Sequence, residues 1–148
     1  MIQLWNGAEL RFLGTNYHTA QGYSGNVYVD ESFWIRGFED LNTVASAMAT
    51  HKKWRITYFS TPSVLNHPAY GLWSGDEFNT GRNKDEKIEI DLSHAALKDG
   101  AFCADEIWRQ IVTIEDAERK GCDLFDIQSL RFRYSKDCLL YTSPSPRD

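Results

Sequence analysis

An α/β fold with a largely parallel sheet is what this sequence predicts, and three stretches carry the expectation. Asn26-Val27-Tyr28-Val29-Asp30-Glu31 and Trp54-Arg55-Ile56-Thr57-Tyr58-Phe59 are β-branched and aromatic runs, the composition of strands. Between them Phe38, Leu41, Val44, Ala45 and Met48 recur at helical spacing, so residues 37–50 form an amphipathic helix. Strand, helix, strand in that order is the βαβ pattern of parallel sheets. The continuous apolar run at 27–29 suits a strand buried on both faces.

The other elements follow in chain order. Asn6-Gly7 between the alternating arms Ile2-Gln3-Leu4-Trp5 and Ala8-Glu9-Leu10-Arg11-Phe12-Leu13 predicts an N-terminal β-hairpin with a two-residue type I′ turn. Residues 15–25 are polar and contain glycine, a short helix or loop. Asn66, with Pro68 two residues later, starts a helix running to about Phe78. Residues 79–87 read as a surface loop, and Ile88-Glu89-Ile90-Asp91-Leu92 as a third strand. Thr113 caps a helix over 114–120 that stops at Gly121, and Asp126 caps another over 127–134. The last residues, from Tyr141 on, carry two Ser-Pro steps and no periodicity, so they are expected to be disordered.

Composition narrows the function classes. A chain of 148 residues with 42% hydrophobic and 25% charged residues can bury a core as one domain. It has no apolar run of membrane-spanning length and no signal-peptide pattern at its start. Its three cysteines, Cys103, Cys122 and Cys138, are far apart and lack CxxC spacing, which fits reduced thiols better than a disulfide framework or a zinc site. His18, His67 and His94 show no ligand spacing either. A net charge of −5 argues against a free-standing DNA-coating protein but not against a motor that touches DNA through one small patch.

The chemistry concentrates at strand ends. Asp30 and Glu31 close an apolar strand, where open α/β sheets bind ligands. In nucleotide hydrolases this is the Walker B pattern, the Asp holding Mg²⁺ and the Glu polarising the attacking water; a strand that meets solvent and ends in charge has the same appearance. One helix later, Ser60 and Thr61 follow the next strand and offer hydroxyls to a phosphate, with Pro62 stiffening the exit. The plain alternative is a Ser/Thr turn. His51-Lys52-Lys53-Trp54-Arg55 either complements the dipole of the preceding helix or faces DNA. The loop 19–25 either contacts nucleotide or a neighbouring subunit, or simply connects. Among Arg11, Arg36, Arg82 and Arg109 the sequence does not single out an arginine finger.

These residues stand in a wider pattern. Phe12-Leu13-Gly14-Thr15-Asn16, then residues 19–31 through Asp30-Glu31 and Phe33-Trp34-Ile35, resemble the ATPase domain of phage large terminase subunits, in the branch of P2-like tailed phages. Lys53-Trp54-Arg55 with Tyr58-Phe59-Ser60-Thr61-Pro62-Ser63 resembles the coupling motif that follows. The likeness continues through residues 88–97, 108–114 and 121–126 and covers about 1–137. It implies a partial P-loop (ASCE-type) NTPase domain over 1–137. Residues 138–148, from Cys138-Leu139-Leu140 on, are themselves similar to translated sequencing-adapter read-through, a non-native tail, with a genuine Ser-Pro tail as the alternative. The terminase likeness implies Asp30 as the Mg²⁺ ligand, Glu31 as the catalytic glutamate, and Ser60 and Thr61 as the coupling residues that sense phosphate. ATP is the implied substrate and Mg²⁺ the cofactor. The implied partners are double-stranded phage DNA, the portal and procapsid, the small terminase subunit and further copies of the chain. The implied location is the bacterial host cytoplasm, with no membrane.

Two departures qualify the likeness. No G-x-x-x-x-G-K-[ST] loop occurs in these residues, and no nuclease domain follows, so the chain reads as the middle of a motor that is inactive as a fragment. Two other readings stand beside it. One is a two-metal nuclease using Asp30, Glu31 and Asp91 from strand ends, and the other a non-catalytic α/β domain that contacts DNA.

Overall fold

A computed structural model describes residues 1–14 and 22–133. Residues 15–21, which include 19–21 of the 19–25 loop, and residues 134–148, which include Tyr134 at the expected end of the last helix and the tail 138–148, lie outside the described residues. The chain divides into two compact units, Met1–Ser60 and a second that begins at Thr61. Among the described residues no helix is long and apolar enough to cross a membrane.

The first unit opens with the expected hairpin. Strands β1 (Ile2–Gln3) and β2 (Glu9–Leu10) are antiparallel, Ile2 facing Leu10. The turn differs from the sequence reading. Leu4 N–H donates to Ala8 O at 2.8 Å and Gly7 N–H to Leu4 O at 3.0 Å, so the loop is Trp5-Asn6-Gly7 with only Gly7 at positive φ. A three-residue loop of this kind needs one left-handed residue where a type I′ turn needs two.

The βαβ unit follows. Strand β3 (Val27–Asp30) runs parallel to β4 (Ile56–Phe59), with Val27 opposite Ile56 and Asp30 opposite Phe59. Helix α1 (Phe38–Met48) joins them and buries Phe38 and Ala45. The Phe38 ring lies tilted against that of Tyr58, their centres 5.9 Å apart, and the Tyr58 hydroxyl donates to Asn42 of the same helix. Gly25 N–H donates to Met48 O, fastening the end of α1 to the start of β3. Only one face of this pair is covered. Val29 is buried, but Tyr28 remains 65% exposed and Phe59 49%. The expectation of a strand buried on both faces is therefore corrected.

The second unit contains α2 (Pro68–Ser74), α3 (Asp76–Asn79), α4 (His94–Leu97), β5 (Ala101–Phe102), β6 (Trp108–Arg109), α5 (Ile114–Arg119) and α6 (Ile127–Arg133). The expected helix from Asn66 to Phe78 starts one residue later, with the His67 side chain accepting from Ala69 N–H. It breaks at Gly75, whose φ of +85° is left-handed and whose missing Cβ would stand 2.7 Å from Ile90 Cδ1. The left-handed φ favours glycine, and any Cβ there would have to push the tip of Ile90 aside. Thr113 and Asp126 cap α5 and α6 as expected.

Two expectations about strands fail. Ile88-Glu89-Ile90-Asp91-Leu92 pairs with no strand among the described residues. Asn79 takes the partner's place: its carboxamide donates to Ile88 O and accepts from Ile88 N–H, both at 2.9 Å. Nor do the described residues form a largely parallel sheet. The described strands form three separate pairs, β1–β2, β3–β4 and β5–β6, and only β3–β4 is parallel.

Buried polar groups organise the second unit. Arg109 is 2% exposed, and its guanidinium is engaged on every side. Nε donates to Trp73 O at 2.8 Å and Nη2 to Leu72 O at 2.9 Å, capping the bare carbonyls at the end of α2. Nη1 and Nη2 also grip both oxygens of Asp105. Burial works against the Arg109 charge, but Asp105 and Cys103 together outweigh it, and the Arg109 pKa is raised. Asp116, also buried, accepts from Thr113 N–H at 3.0 Å, Thr113 Oγ1 at 2.9 Å and His94 Nε2 at 2.6 Å. The Thr113 amide first, then His94, hold its carboxyl well below the usual carboxylate range.

Removing one member of the buried pair strands the other. Arg109→Leu should lower stability by about 3–5 kcal/mol, measured by denaturant unfolding. Asp116 gives a signed pH dependence. Its folded-state pKa is depressed, so its contribution is present above the unfolded value of 3.8 and is lost as the pH falls through the folded value. The stability difference between wild type and Asp116→Asn should therefore be largest near neutrality and shrink steadily below pH 4.

Candidate functional site at the carboxyl edge of the parallel pair

Pairing of β3 with β4 in parallel sets their carboxyl ends side by side. Asp30, exposed, ends β3 opposite Phe59, the last residue of β4. Glu31 follows in the left-handed region, at φ 51° and ψ 40°. Glu106 is the other described non-glycine residue with positive φ. Glu31 O then accepts from Trp34 N–H at 2.8 Å, which starts a 3-10 turn over Ser32–Trp34 with Ser32 buried. The left-handed residue swings the chain off the strand and leaves the Glu31 carboxylate at the rim.

Ser60 joins the two strand ends. Its hydroxyl donates to Glu31 Oε2 at 3.3 Å and accepts from Phe33 N–H at 3.1 Å. The residue after β4 thus fixes both the side chain and the backbone that follow β3. Asp30, Glu31 and Ser60, chosen from the sequence, meet at one edge. Thr61 is exposed and opens the second unit.

Other candidates fall elsewhere. Asp91 sits in the unpaired 88–92 segment of the second unit, so it does not end a strand. Its carboxylate accepts from Ser93 N–H at 2.9 Å, and that bond holds its pKa low. Arg109 is consumed by Asp105 and the end of α2, which removes it from the arginine-finger candidates. Arg11 pairs with Glu9 and lies over Tyr23, and Arg82 bonds Phe78 O and lies over its ring. Arg36 is exposed. No group of three or more His, Cys, Asp and Glu side chains among the described residues is arranged to hold a metal by itself. A shallow cavity of about 460 Å³ in the second unit is lined by Leu72, Phe78, Arg82, Asp105 and others, and by none of the four site residues.

The sequence missed two features. The left-handed Glu31 has no local signal, because glycine or asparagine would normally mark such a position. The Arg109–Asp105 clamp was foreshadowed only by the i, i+4 spacing of the two charges.

Comparison with known proteins gives a consistent picture. Residues 1–140 match the family model described as "Terminase large subunit, T4likevirus-type, N-terminal". The chain is 58% identical over 133 residues to the "Terminase, ATPase subunit" of Escherichia phage P2, covering 89% of this chain and 22% of that protein. It is 54% identical over 137 residues to the "Probable terminase, ATPase subunit" of Haemophilus phage HP1 (strain HP1c1), covering 91% of this chain and 22% of that protein. The chain therefore spans about a fifth of the length of these relatives. No solved structure matches.

Two substitutions separate the backbone of Glu31 from its carboxylate. Asparagine and valine both remove the charge, but only asparagine tolerates the left-handed region. Thermal or denaturant melts should find Glu31→Val less stable than Glu31→Asn by about 1–2 kcal/mol. Equal stabilities would mean that the left-handed geometry is not held in solution.

Proposed function

Because the chain belongs to the family of terminase large subunit N-terminal regions, we propose that it is part of the ATP-hydrolysing motor that packages DNA in a tailed phage or prophage, with the Asp30–Glu31–Ser60 edge as its hydrolytic edge. The observation that carries the reading is the Ser60 hydroxyl bound to the Glu31 carboxylate across the ends of two parallel strands. In this reading Asp30 and Glu31 are the Walker B pair and Ser60-Thr61 the coupling motif. ATP is the substrate, and the whole domain is a P-loop ATPase whose phosphate-cradling loop is not among these residues.

Asp30 suits Mg²⁺ in its chemistry: it is an exposed carboxylate at a strand end, and Mg²⁺ is commonly held by one or two carboxylates together with waters and substrate phosphates. When bound, the ion neutralises charge on the phosphate oxygens. The remaining work belongs to the chain. Glu31, held at the rim by its left-handed backbone, accepts a proton from the attacking water. On taking that proton its carboxyl becomes a poorer acceptor for Ser60, which frees the Ser60 hydroxyl for a phosphate oxygen. Ser60 also carries Phe33 N–H, so its release loosens the turn after β3 and begins the mechanical response. Thr61 adds the second hydroxyl of the sensor. Double-stranded DNA, the portal and procapsid, the small terminase subunit and further copies of the subunit are the partners of such a motor, which works in the host cytoplasm.

The two other readings have less support. The nuclease reading took Asp30, Glu31 and Asp91 from strand ends, and among the described residues Asp91 does not end a strand. A non-catalytic domain gives no reason for a carboxylate on a left-handed residue bound to the neighbouring strand end.

The test uses a full-length terminase ATPase subunit carrying this segment in place of its own. Glu31→Gln should keep ATP binding and lower turnover by roughly 10²–10⁴-fold, equivalent to about 3–5 kcal/mol on the barrier. Asp30→Asn should instead weaken Mg²⁺-dependent nucleotide binding. Turnover within a few-fold of wild type for both variants would overturn the assignment.

A further inference from the structure

At the opposite edge of the β3–β4 pair lies a turn that the hydrolytic reading does not use. Residues 51–55, His51-Lys52-Lys53-Trp54-Arg55, connect the end of α1 to β4. His51, Lys52, Lys53 and Arg55 are all exposed. We propose that this turn is a contact surface for the phosphate backbone of duplex DNA.

The turn is built rigidly. Trp54 N–H donates to His51 O at 2.8 Å and Lys53 N–H to His51 Nδ1 at 3.2 Å. Arg55 N–H donates to Asn26 Oδ1 at 2.9 Å, fixing the turn to the residue before β3. Arg55 Nη1 donates to Lys52 O and Trp54 O, and Lys53 Nζ stands 4.4 Å from the centre of the Trp54 ring. The cations are thus presented on a fixed scaffold, which lowers the entropy lost when they bind. Among the described residues no carboxylate forms an ion pair with Lys52, Lys53 or Arg55.

Charge is segregated along the unit. Residues 1–60 hold five carboxylates and five Lys or Arg. Asp30 and Glu31 end β3, and Glu39 and Asp40 lie in the first turn of α1, which follows β3, with Arg36 the one cation between them. Lys52, Lys53 and Arg55 lie past the other end of α1. The two edges are about 15 Å apart by the rise of a four-residue strand and its flanks. A polyanion is therefore attracted to one edge and repelled from the other, and the net charge of −5 confines binding to the local patch. Lysine ammonium groups are point charges suited to phosphate oxygens, and Arg55 Nη1 is already bonded to Lys52 O and Trp54 O, so the contact is made to the backbone and is independent of sequence. The choice of duplex DNA among polyanions rests on the packaging reading. Strand β4 then carries the DNA contact at its start and Ser60 just past its end, one rigid element between the two.

The experiment titrates the isotope-labelled 148-residue chain with a short mixed-sequence DNA duplex at low ionic strength, without nucleotide, and follows backbone amide shifts. Shifts should centre on 51–55 and Asn26. Affinity measured by fluorescence anisotropy should fall with salt along a log–log slope of about −2 to −3, or 0.9 per phosphate contacted. Lys52→Gln with Lys53→Gln should weaken binding at least about tenfold and reduce the slope by about 2. The fold of this variant is checked by the unchanged amide spectrum of β3 and α1. No shift at 51–55, shifts centred elsewhere, an unchanged slope in the variant, or a preference for duplex RNA or acidic vesicles over DNA would each overturn the proposal. So would a variant that loses stability while keeping full DNA affinity, since that is the signature of cations serving only the dipole of α1. Binding is read without hydrolysis, so a failed ATPase assignment and a failed DNA contact are distinguishable.

Discussion

Four residue pairs between β3 and β4 constrain the first unit. A parallel ladder requires a crossover between its strands, and here α1 is that crossover. Because both strands point the same way, the residues that leave them, Glu31 and Ser60, emerge at the same edge. The chain entering β4 arrives at the other edge, beside Asn26. An antiparallel pairing of the same two segments would have placed Ser60 beside Asn26 and parted it from Glu31. The Ser60 bridge to Glu31 and Phe33 is a consequence of strand direction before it is a consequence of side-chain chemistry.

The exposed face of that ladder is informative as well. Val29, Phe38, Ala45 and Tyr58 supply one packed side, whereas Tyr28 and Phe59 show large apolar area on the other. A two-stranded ribbon is marginal by itself in water, and its stability here comes from α1 on the covered side. The second unit relies instead on buried polar groups. Arg109 satisfies the end of α2 while gripping Asp105, and Asp116 ties the cap of α5 to His94 at the start of α4. Short helices of four to seven residues cannot hold themselves together by backbone bonds alone. Side chains that satisfy several bare backbone groups at once take over that task.

How much was legible in the sequence depended on whether the signal was local. Caps are local, so Thr113 and Asp126 announced α5 and α6 correctly. Helical periodicity placed α1, and β-branched runs placed β3 and β4. Alternation at Ile88–Glu89–Ile90 suggested a strand, but alternation shows only that one side is apolar. The backbone of Ile88 was satisfied by Asn79, which no periodicity reveals. The hairpin of β5 and β6 was passed over because a glutamate, Glu106, occupies the left-handed position of its turn, where Gly7 does the same in the first hairpin. At the candidate site the identities of Asp30, Glu31 and Ser60 were readable from strand ends. Their meeting was readable only as topology, and the left-handed Glu31 was not readable at all.

The central claim is that the carboxyl edge of β3–β4 receives the nucleotide while the amino edge does not. Cryo-electron microscopy of a full-length terminase ATPase subunit carrying this segment, with Mg²⁺ and a non-hydrolysable ATP analogue, tests it directly. The account predicts the terminal phosphate and metal density beside Asp30 and Glu31, with Ser60 in reach. Nucleotide density at the 51–55 edge, or against another part of the subunit with Glu31 remote from the phosphates, would contradict it.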